Sequence, residues 1–252
     1  MSRSSVTIIA FHSLGDGPGP LCISTSAFQR QIGGLIEADC AFLGMDAVVG
    51  HLRSGDPFPP RAVALAFDDA YESVHRHALP LLSASNIRAT VYPVTSQLGG
   101  HNRWDAATGT MPELPLVSSH QLHELVAAGW EVGGHTHTHR RVSSLTPSEL
   151  DHELATSNAV LEDELGRSIA TFAYPYGDHD DRTRARSAQA YEACFTIGAQ
   201  RASIGDPLDR VGRVDAWYLQ RAWQVHALHT PAGDLYLGAR RLARATRRLV
   251  AG

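Results

Sequence analysis

The sequence predicts an α/β protein with a parallel sheet. Short apolar runs rich in β-branched and aromatic residues recur along the chain, stretches of helical periodicity separate them, and no repeat or low-complexity linker breaks the rhythm. Strands that alternate with helices build βαβ units, whose strands run parallel. The 252 residues fit a single domain, because α/β barrels commonly run about 200–250 residues as one unit.

Taken in order, strands are expected at residues 6–11, 62–67, 89–94, 130–133, 171–174 and 194–197. Helices are expected at 27–37, 71–85, 120–128, 147–165 and 182–193, where apolar positions recur with the helical period. The fourth has the strongest start signal: Thr146-Pro147-Ser148-Glu149 supplies an N-cap, a proline at the first helical position and a capping-box acid. Residues 98–118 fit neither pattern. They hold Gly99, Gly100, Gly109, Pro112 and Pro115, and a loop of this length in a compact domain is usually functional or mobile.

A last helix is expected over 231–251, opened by Thr230-Pro231. At 100° per residue, Arg240, Arg241, Arg244, Arg247 and Arg248 fall within about 120° of arc, with Leu235, Leu242 and Leu249 opposite. Two readings are open. The helix packs on the domain with its arginine face in solvent, or it lies on an anionic membrane leaflet, where each arginine adds about 1 kcal/mol.

Composition narrows the function. Apolar residues make up 43% and charged residues 19%, an ordinary soluble balance. Every basic residue apart from histidine is arginine, so no mechanism can run through a lysine nucleophile or Schiff base. A formal charge of −4 gives no reason to expect nucleic acid as a partner. Cys22, Cys40 and Cys194 are far apart and odd in number, unlike a disulfide framework or a zinc knuckle. The first 20 residues hold only a short apolar stretch, Val6 to Phe11, less than the about 7–15 of a secretory signal. No run reaches the about 18 apolar residues that span a membrane. The expected location is the cytoplasm, with the basic helix the candidate contact to the inner membrane face.

Three constellations carry chemistry. Ala66-Phe67-Asp68-Asp69-Ala70 sets two carboxylates at a strand end. Neighbours on a strand point to opposite sides, so both can serve one site only where the chain turns; alternatively, Asp69 caps a helix starting near Tyr71. Gly133-Gly134-His135-Thr136-His137-Thr138-His139 also follows a strand. Two histidines four apart can share an ion if the chain turns helically, with His137 free to point away. Phe172-Ala173-Tyr174-Pro175-Tyr176-Gly177-Asp178 ends a third strand, either as a well-made turn or as a backbone N–H offered to a developing oxyanion, with Tyr176 forming a substrate wall.

Together these motifs resemble the polysaccharide deacetylase family, carbohydrate esterase family 4. Its Thr-Phe-Asp-Asp motif matches Ala66–Asp69 with alanine for threonine, its His-Ser/Thr-x-x-His motif matches His135 to His139, and its Arg-x-Pro-Tyr-Gly motif matches residues 173–177 without the arginine. The resemblance spans about residues 5–215. It implies a distorted (β/α) barrel with fewer than eight repeats, and a metal-dependent hydrolase that removes N-acetyl groups from an amino-sugar saccharide. Asp68 becomes the general base, Asp69, His135 and His139 the ligands of one divalent ion, and Tyr176 the oxyanion donor. Histidine and carboxylate ligands favour Zn2+, and Co2+, Ni2+, Fe2+ and Mn2+ are compatible.

Two departures follow. The family arginine that orients the base is Ala173 here, so the base must be tuned by another group. The family's late strand ending Leu-x-His, source of the catalytic acid, has a weak counterpart in Val225-His226-Ala227-Leu228-His229 and a better one in Val6-Thr7-Ile8-Ile9-Ala10-Phe11-His12. First and last strands of a closed barrel are neighbours, so a circularly permuted chain keeps the histidine in the site. The subgroup resembling poly-N-acetylglucosamine deacetylases begins in this way, which makes His12 the expected acid. Two alternatives share these residues: a deformylase or deacylase of a lipid-linked or antibiotic sugar, and a non-catalytic sugar-binding relative.

Overall fold

The structure, a computed structural model, describes residues 4–107, 109 and 111–250, with backbone only for 245 and 247–250. Its strands are β1 (Ser5–Phe11), β2 (Ser13–Leu14), β3 (Cys22–Ile23), β4 (Ala41–Phe42), β5 (Ala62–Asp69), β6 (Thr90–Pro93), β7 (Glu131–Val132), β8 (Thr171–Ala173), β9 (Ala193–Phe195), β10 (Ala202–Ser203) and β11 (Val214–Asp215). The helices are α1 (Thr25–Glu37), α2 (Met45–Ser54), α3 (Leu79–Ala84), α4 (Arg103–Ala106), α5 (Ser119–Ala127), α6 (Pro147–Leu165), α7 (Asp181–Ala190), α8 (Ala222–His226) and α9 (Pro231–Val250).

Parallel pairing runs from β1 to β5, β6 and β7 in turn. A single bridge, Gly134↔Phe172, passes the ring to β8, which pairs with β9. A second, Phe195↔Val211, leads toward β11, and β11 returns to β1 through Ile9↔Val214 and Ala10↔Asp215. The result is a distorted barrel with fewer than eight strands, as expected. Its first and last strands lie side by side.

Alternation along the strands sorts the core. Ile9, Phe11, Val63, Leu65 and Phe67 pack outward with α1 residues Phe28, Ile32 and Leu35. Ile8, Ala64, Ala66, Ala173 and Ala193 belong to a second cluster, where small side chains suit the narrow interior of a barrel. Rings of Phe11, Phe67 and Trp130 stack in series on the outer side, with Phe28 set edge-on to Phe11.

Several expected boundaries need correction. The helix expected over 71–85 starts at Glu72, passes through a π-helical turn, Val74–Ala78, and continues into α3. Leu79 N–H donates to the Val74 carbonyl, five residues back. Pro80 has no N–H for the regular bond and its ring crowds the preceding turn. The Glu72 N–H at the helix start donates to the Pro115 carbonyl, so Asp69 does not cap that N–H. The helix expected over 182–193 stops at Ala190, and Ala193 already belongs to β9. Helix α2 has no counterpart in the expectation.

The C-terminal helix is present but turned over. Leu237 is buried, whereas Leu235 and Leu242 are 77% and 68% exposed. Arg241 and Arg244 line grooves on the protein, and Arg240 lies over the rings of Tyr218 and Tyr236. Arg244 thus turns toward the barrel while Arg240 and Arg241 stay exposed, so the described part of the arginine arc is only partly turned inward. Gly233 explains the docking, since a Cβ there would fall 2.0 Å from the Ala227 carbonyl oxygen. The side chains of Arg247, Arg248 and Leu249 lie outside the described residues. Among those described, no helix is long and apolar enough to cross a membrane.

Candidate active site

Asp68 and Asp69 both end in one cavity because the backbone breaks its own alternation. Asp68 keeps phase with Ala64 and Ala66 and points inside the barrel. Asp69 would point outward, but it and Ala70 adopt φ of 65° and 57°, left-handed values that swing the chain around. Both acids are buried, at 3% and 2% exposure.

The histidine loop turns without being helical, which corrects the expected helical turn. Thr136 and His139 take φ of 64° and 61°, and His139 N–H donates to Thr136 Oγ1 at 3.0 Å. Buried Glu153 of α6 clamps the turn by accepting the N–H groups of His137 and Thr138, each at 2.8 Å, and the Thr138 hydroxyl. Gly134 admits the close approach of Tyr191, whose hydroxyl would sit 2.5 Å from a Cβ there. His137 points away, with Nδ1 3.0 Å from Thr95 Oγ1.

The Nε2 atoms of His135 and His139 lie 3.2 Å and 3.1 Å from Asp69 Oδ1. That oxygen is buried, and among the described residues it accepts no well-directed hydrogen bond. His135 Nδ1–H donates to the Ala173 carbonyl at 2.7 Å, so the neutral ring carries its lone pair on Nε2. Such outer bonds fix the tautomer of metal-binding histidines. Burial pushes His139 below its ordinary imidazole value, which favours the neutral ring. Burial works against ionised Asp69, yet His139 and His135 hold it well below the usual carboxylate range. One carboxylate and two imidazoles within 4.8 Å of one another fit a divalent ion that leaves positions open.

Asp68 has a different partner, which the sequence reading missed. Arg213, 0% exposed, grips it with Nη1–Oδ1 at 2.7 Å and Nη2–Oδ2 at 2.8 Å. Its Nε–H donates to the Thr196 carbonyl at 3.2 Å. Burial raises the Asp68 carboxyl, but Arg213, then His135 and His12, bring it below its ordinary value. Arg213 thus stands where the missing arginine at 173 left a gap. The available signal was a charge inside the apolar string Val211-Gly212-Arg213-Val214.

His12 follows β1, and its Nε2 is 3.8 Å from Asp68 Oδ2. Asp215, at the end of the neighbouring β11, lines the same cavity. Burial raises the Asp215 carboxyl, and His12 draws it back. His229 is elsewhere. It senses Arg61, which precedes β5, and it is pushed down to about 4 by burial, Arg201 and Arg61.

The cavity measures about 230 Å3 and holds His12, Asp68, Asp69, His135, His139 and Tyr176 together. Tyr176 has φ 60°, and its ring rests 4.6 Å from that of His139. Gly177, φ 63°, passes so close to Ile197 that a Cβ would meet its backbone N at 2.9 Å. The irregular 98–118 loop also reaches the site: the Trp104 ring lies tilted 4.6 Å from that of His139 and Asp105 lines the cavity. Sequence reasoning marked that loop but named neither residue.

Fold and site together define a parallel barrel with a buried aspartate–histidine triad beside an arginine-held aspartate. The chain belongs to the polysaccharide deacetylase family, whose sequence model matches residues 55–192, more than half of its length. That match includes the acids, the histidine loop and Tyr176, and leaves out His12, Arg213 and Asp215. A poly-beta-1,6-N-acetyl-D-glucosamine N-deacetylase of Staphylococcus aureus is 30% identical over 168 residues, 63% of this chain and 55% of that protein. Its Staphylococcus epidermidis counterpart is 26% identical over 185 residues, 69% of this chain and 61% of that protein. The chain thus spans little more than half the length of these curated relatives. Among solved structures, IcaB from Ammonifex degensii superposes with a TM-score of 0.75 at 26% identity, over 89% of this chain and 98% of that one. The Streptococcus pyogenes deacetylase PplD shares the fold, with a TM-score of 0.73 at 21% identity over 85% and 93%.

Proposed function

We propose that the chain is a metal-dependent hydrolase removing N-acetyl groups from an amino-sugar saccharide, with β-1,6-linked N-acetylglucosamine chains as the substrate class suggested by its relatives' names. One observation carries the reading. A buried carboxylate fixed by Arg213 shares a cavity with the Asp69–His135–His139 triad, with a histidine 3.8 Å away. Asp69, His135 and His139 would hold one divalent ion, zinc first among those that accept such donors. A bound ion would polarise the acetamide carbonyl and acidify the attacking water.

The chain's own residues supply the remaining chemistry. Asp68 takes the proton of the attacking water, while Arg213 keeps its carboxylate ionised and aimed. The backbone N–H of Tyr176 donates to the oxygen on which negative charge develops. His12 protonates the departing nitrogen, so the bond to the acetyl carbon breaks with release of a free amine. Arg213 also answers the one feature that favoured a non-catalytic relative, the missing arginine at 173.

Metal analysis combined with acetate release from N-acetylglucosamine oligomers tests this reading. The protein is expected to retain a divalent ion and release acetate. Asp68→Asn is expected to keep the ion and lose at least about 100-fold in turnover, the scale of general-base catalysis. A metal-loaded wild type that releases no acetate refutes the N-acetyl reading. Formate release from N-formyl sugars would turn it into a deformylase.

A further inference from the structure

Beside the catalytic cavity runs a larger groove of about 640 Å3, and the two share Ile197 and Arg244. A saccharide reaching the acids can therefore continue into it without leaving the surface. The size lies within the about 300–1,000 Å3 typical of ligand sites. Three guanidinium groups line this groove: Arg210 from the turn before β11, and Arg241 and Arg244 from α9. The last two are three residues apart, hence neighbours on one helix face.

Among the described residues, none of the three arginines makes an ion pair with a carboxylate. Nearby arginines do: Arg184 pairs with Asp209 and Arg201 with Asp234. The groove's carboxylate, Asp206, accepts the Ser203 N–H at 2.9 Å, and Asp215 feels Arg244 from the cavity side. Three cations lining one groove against so little negative charge suit an oxyanion, since the guanidinium fork matches carboxylate and phosphate.

We propose that this groove is a subsite for an anionic group, phosphate or carboxylate, carried by a sugar next to the N-acetylated one. The preferred substrate is then an acidic saccharide. The proposal rests on the N-deacetylase reading of the adjoining cavity.

The test uses three probes with the metal-loaded full chain: an N-acetylglucosamine tetramer, the same tetramer oxidised to the aldonate, and its 1-phosphate. Affinity is read by calorimetry and kcat/KM by acetate release. Either or both anionic probes are expected to bind about tenfold tighter than the neutral parent, the scale of one charge-assisted contact. Comparison of the two distinguishes a carboxylate from a phosphate. The preference should shrink to about twofold in Arg241→Gln/Arg244→Gln, and also in wild type at high salt, where surface charges are screened. The salt series keeps the test valid if the double variant fails to fold. Equal affinity for all three probes overturns the subsite, whether or not acetate is released. Tight anionic binding with no acetate released from any probe supports the subsite and defeats the N-deacetylase reading instead.

Discussion

Asp68 and Asp69 are adjacent in sequence yet keep different company: an arginine holds one and two histidines meet the other. Arg213→Gln strands Asp68 as a buried, unpaired carboxylate, a loss that typically costs about 3–5 kcal/mol. Without Arg213 the Asp68 carboxyl rises, so a smaller fraction is ionised at a given pH. The acid limb of kcat/KM should move to higher pH, and Tm should fall. An unmoved acid limb in the folded variant would remove Arg213 from its positioning role. For the proton donor, His12→Ala should cut turnover at least about 100-fold, while His229→Ala stays near wild type; steady-state kinetics on both variants decides between them. The acids, the histidine pair and Tyr176 were legible because each motif lies within a few consecutive residues. Arg213 was not, because its role exists only through Asp68, 145 positions away.

At the scale of elements, α6 was readable to its ends because its start is encoded locally: Thr146 Oγ1 accepts the Glu149 N–H, and Glu149 returns the contact. The same helix reaches into the site through Glu153. Glu153→Gln keeps the shape but weakens the bonds that hold the His135–His139 turn, so affinity for a divalent ion should drop about 10–100-fold, as for other outer-layer partners of metal ligands. Competition with a chromogenic chelator measures it, and an unchanged affinity would leave Glu153 with packing alone. A second pair joins β7 to α2. Glu131 is pushed up to about 7, by burial first and then by Asp46, and its hydrogen bond lowers Asp46 in turn. The folded protein therefore keeps a proton that the unfolded chain releases above its ordinary value of 4.5. Stability should fall as pH rises from about 4.5 to 7 through this group, with the penalty complete above 7. Glu131→Gln should flatten that slope and raise Tm at pH 8 relative to wild type. Parallel slopes for the two proteins would mean that the pair shares no proton. Helix α2 and the π-helical turn escaped the sequence reading. The first is short and carries Gly50, and the second depends on how the chain relieves Pro80.

At the scale of the molecule, the alternation of strands and helices was enough to give the parallel sheet, and the motif order gave the barrel. The orientation of α9 was not legible. A helical projection shows which residues share a face, but contacts such as Gly233 against Ala227 decide which face is turned inward. The closed ring also has a kinetic side. β1 meets β11 through Ile9↔Val214, so the last pairing joins nearly opposite ends of the chain. Distant pairings fold slowly because the entropy of closing the loop must be met before the contact gives anything back. Asp69, His135 and His139 are gathered by strands β5 to β7, while the arginine for Asp68 arrives only with the final strand. In a refolding time course, ion uptake should therefore run ahead of regained turnover, and the interval between them measures how long the barrel stays open.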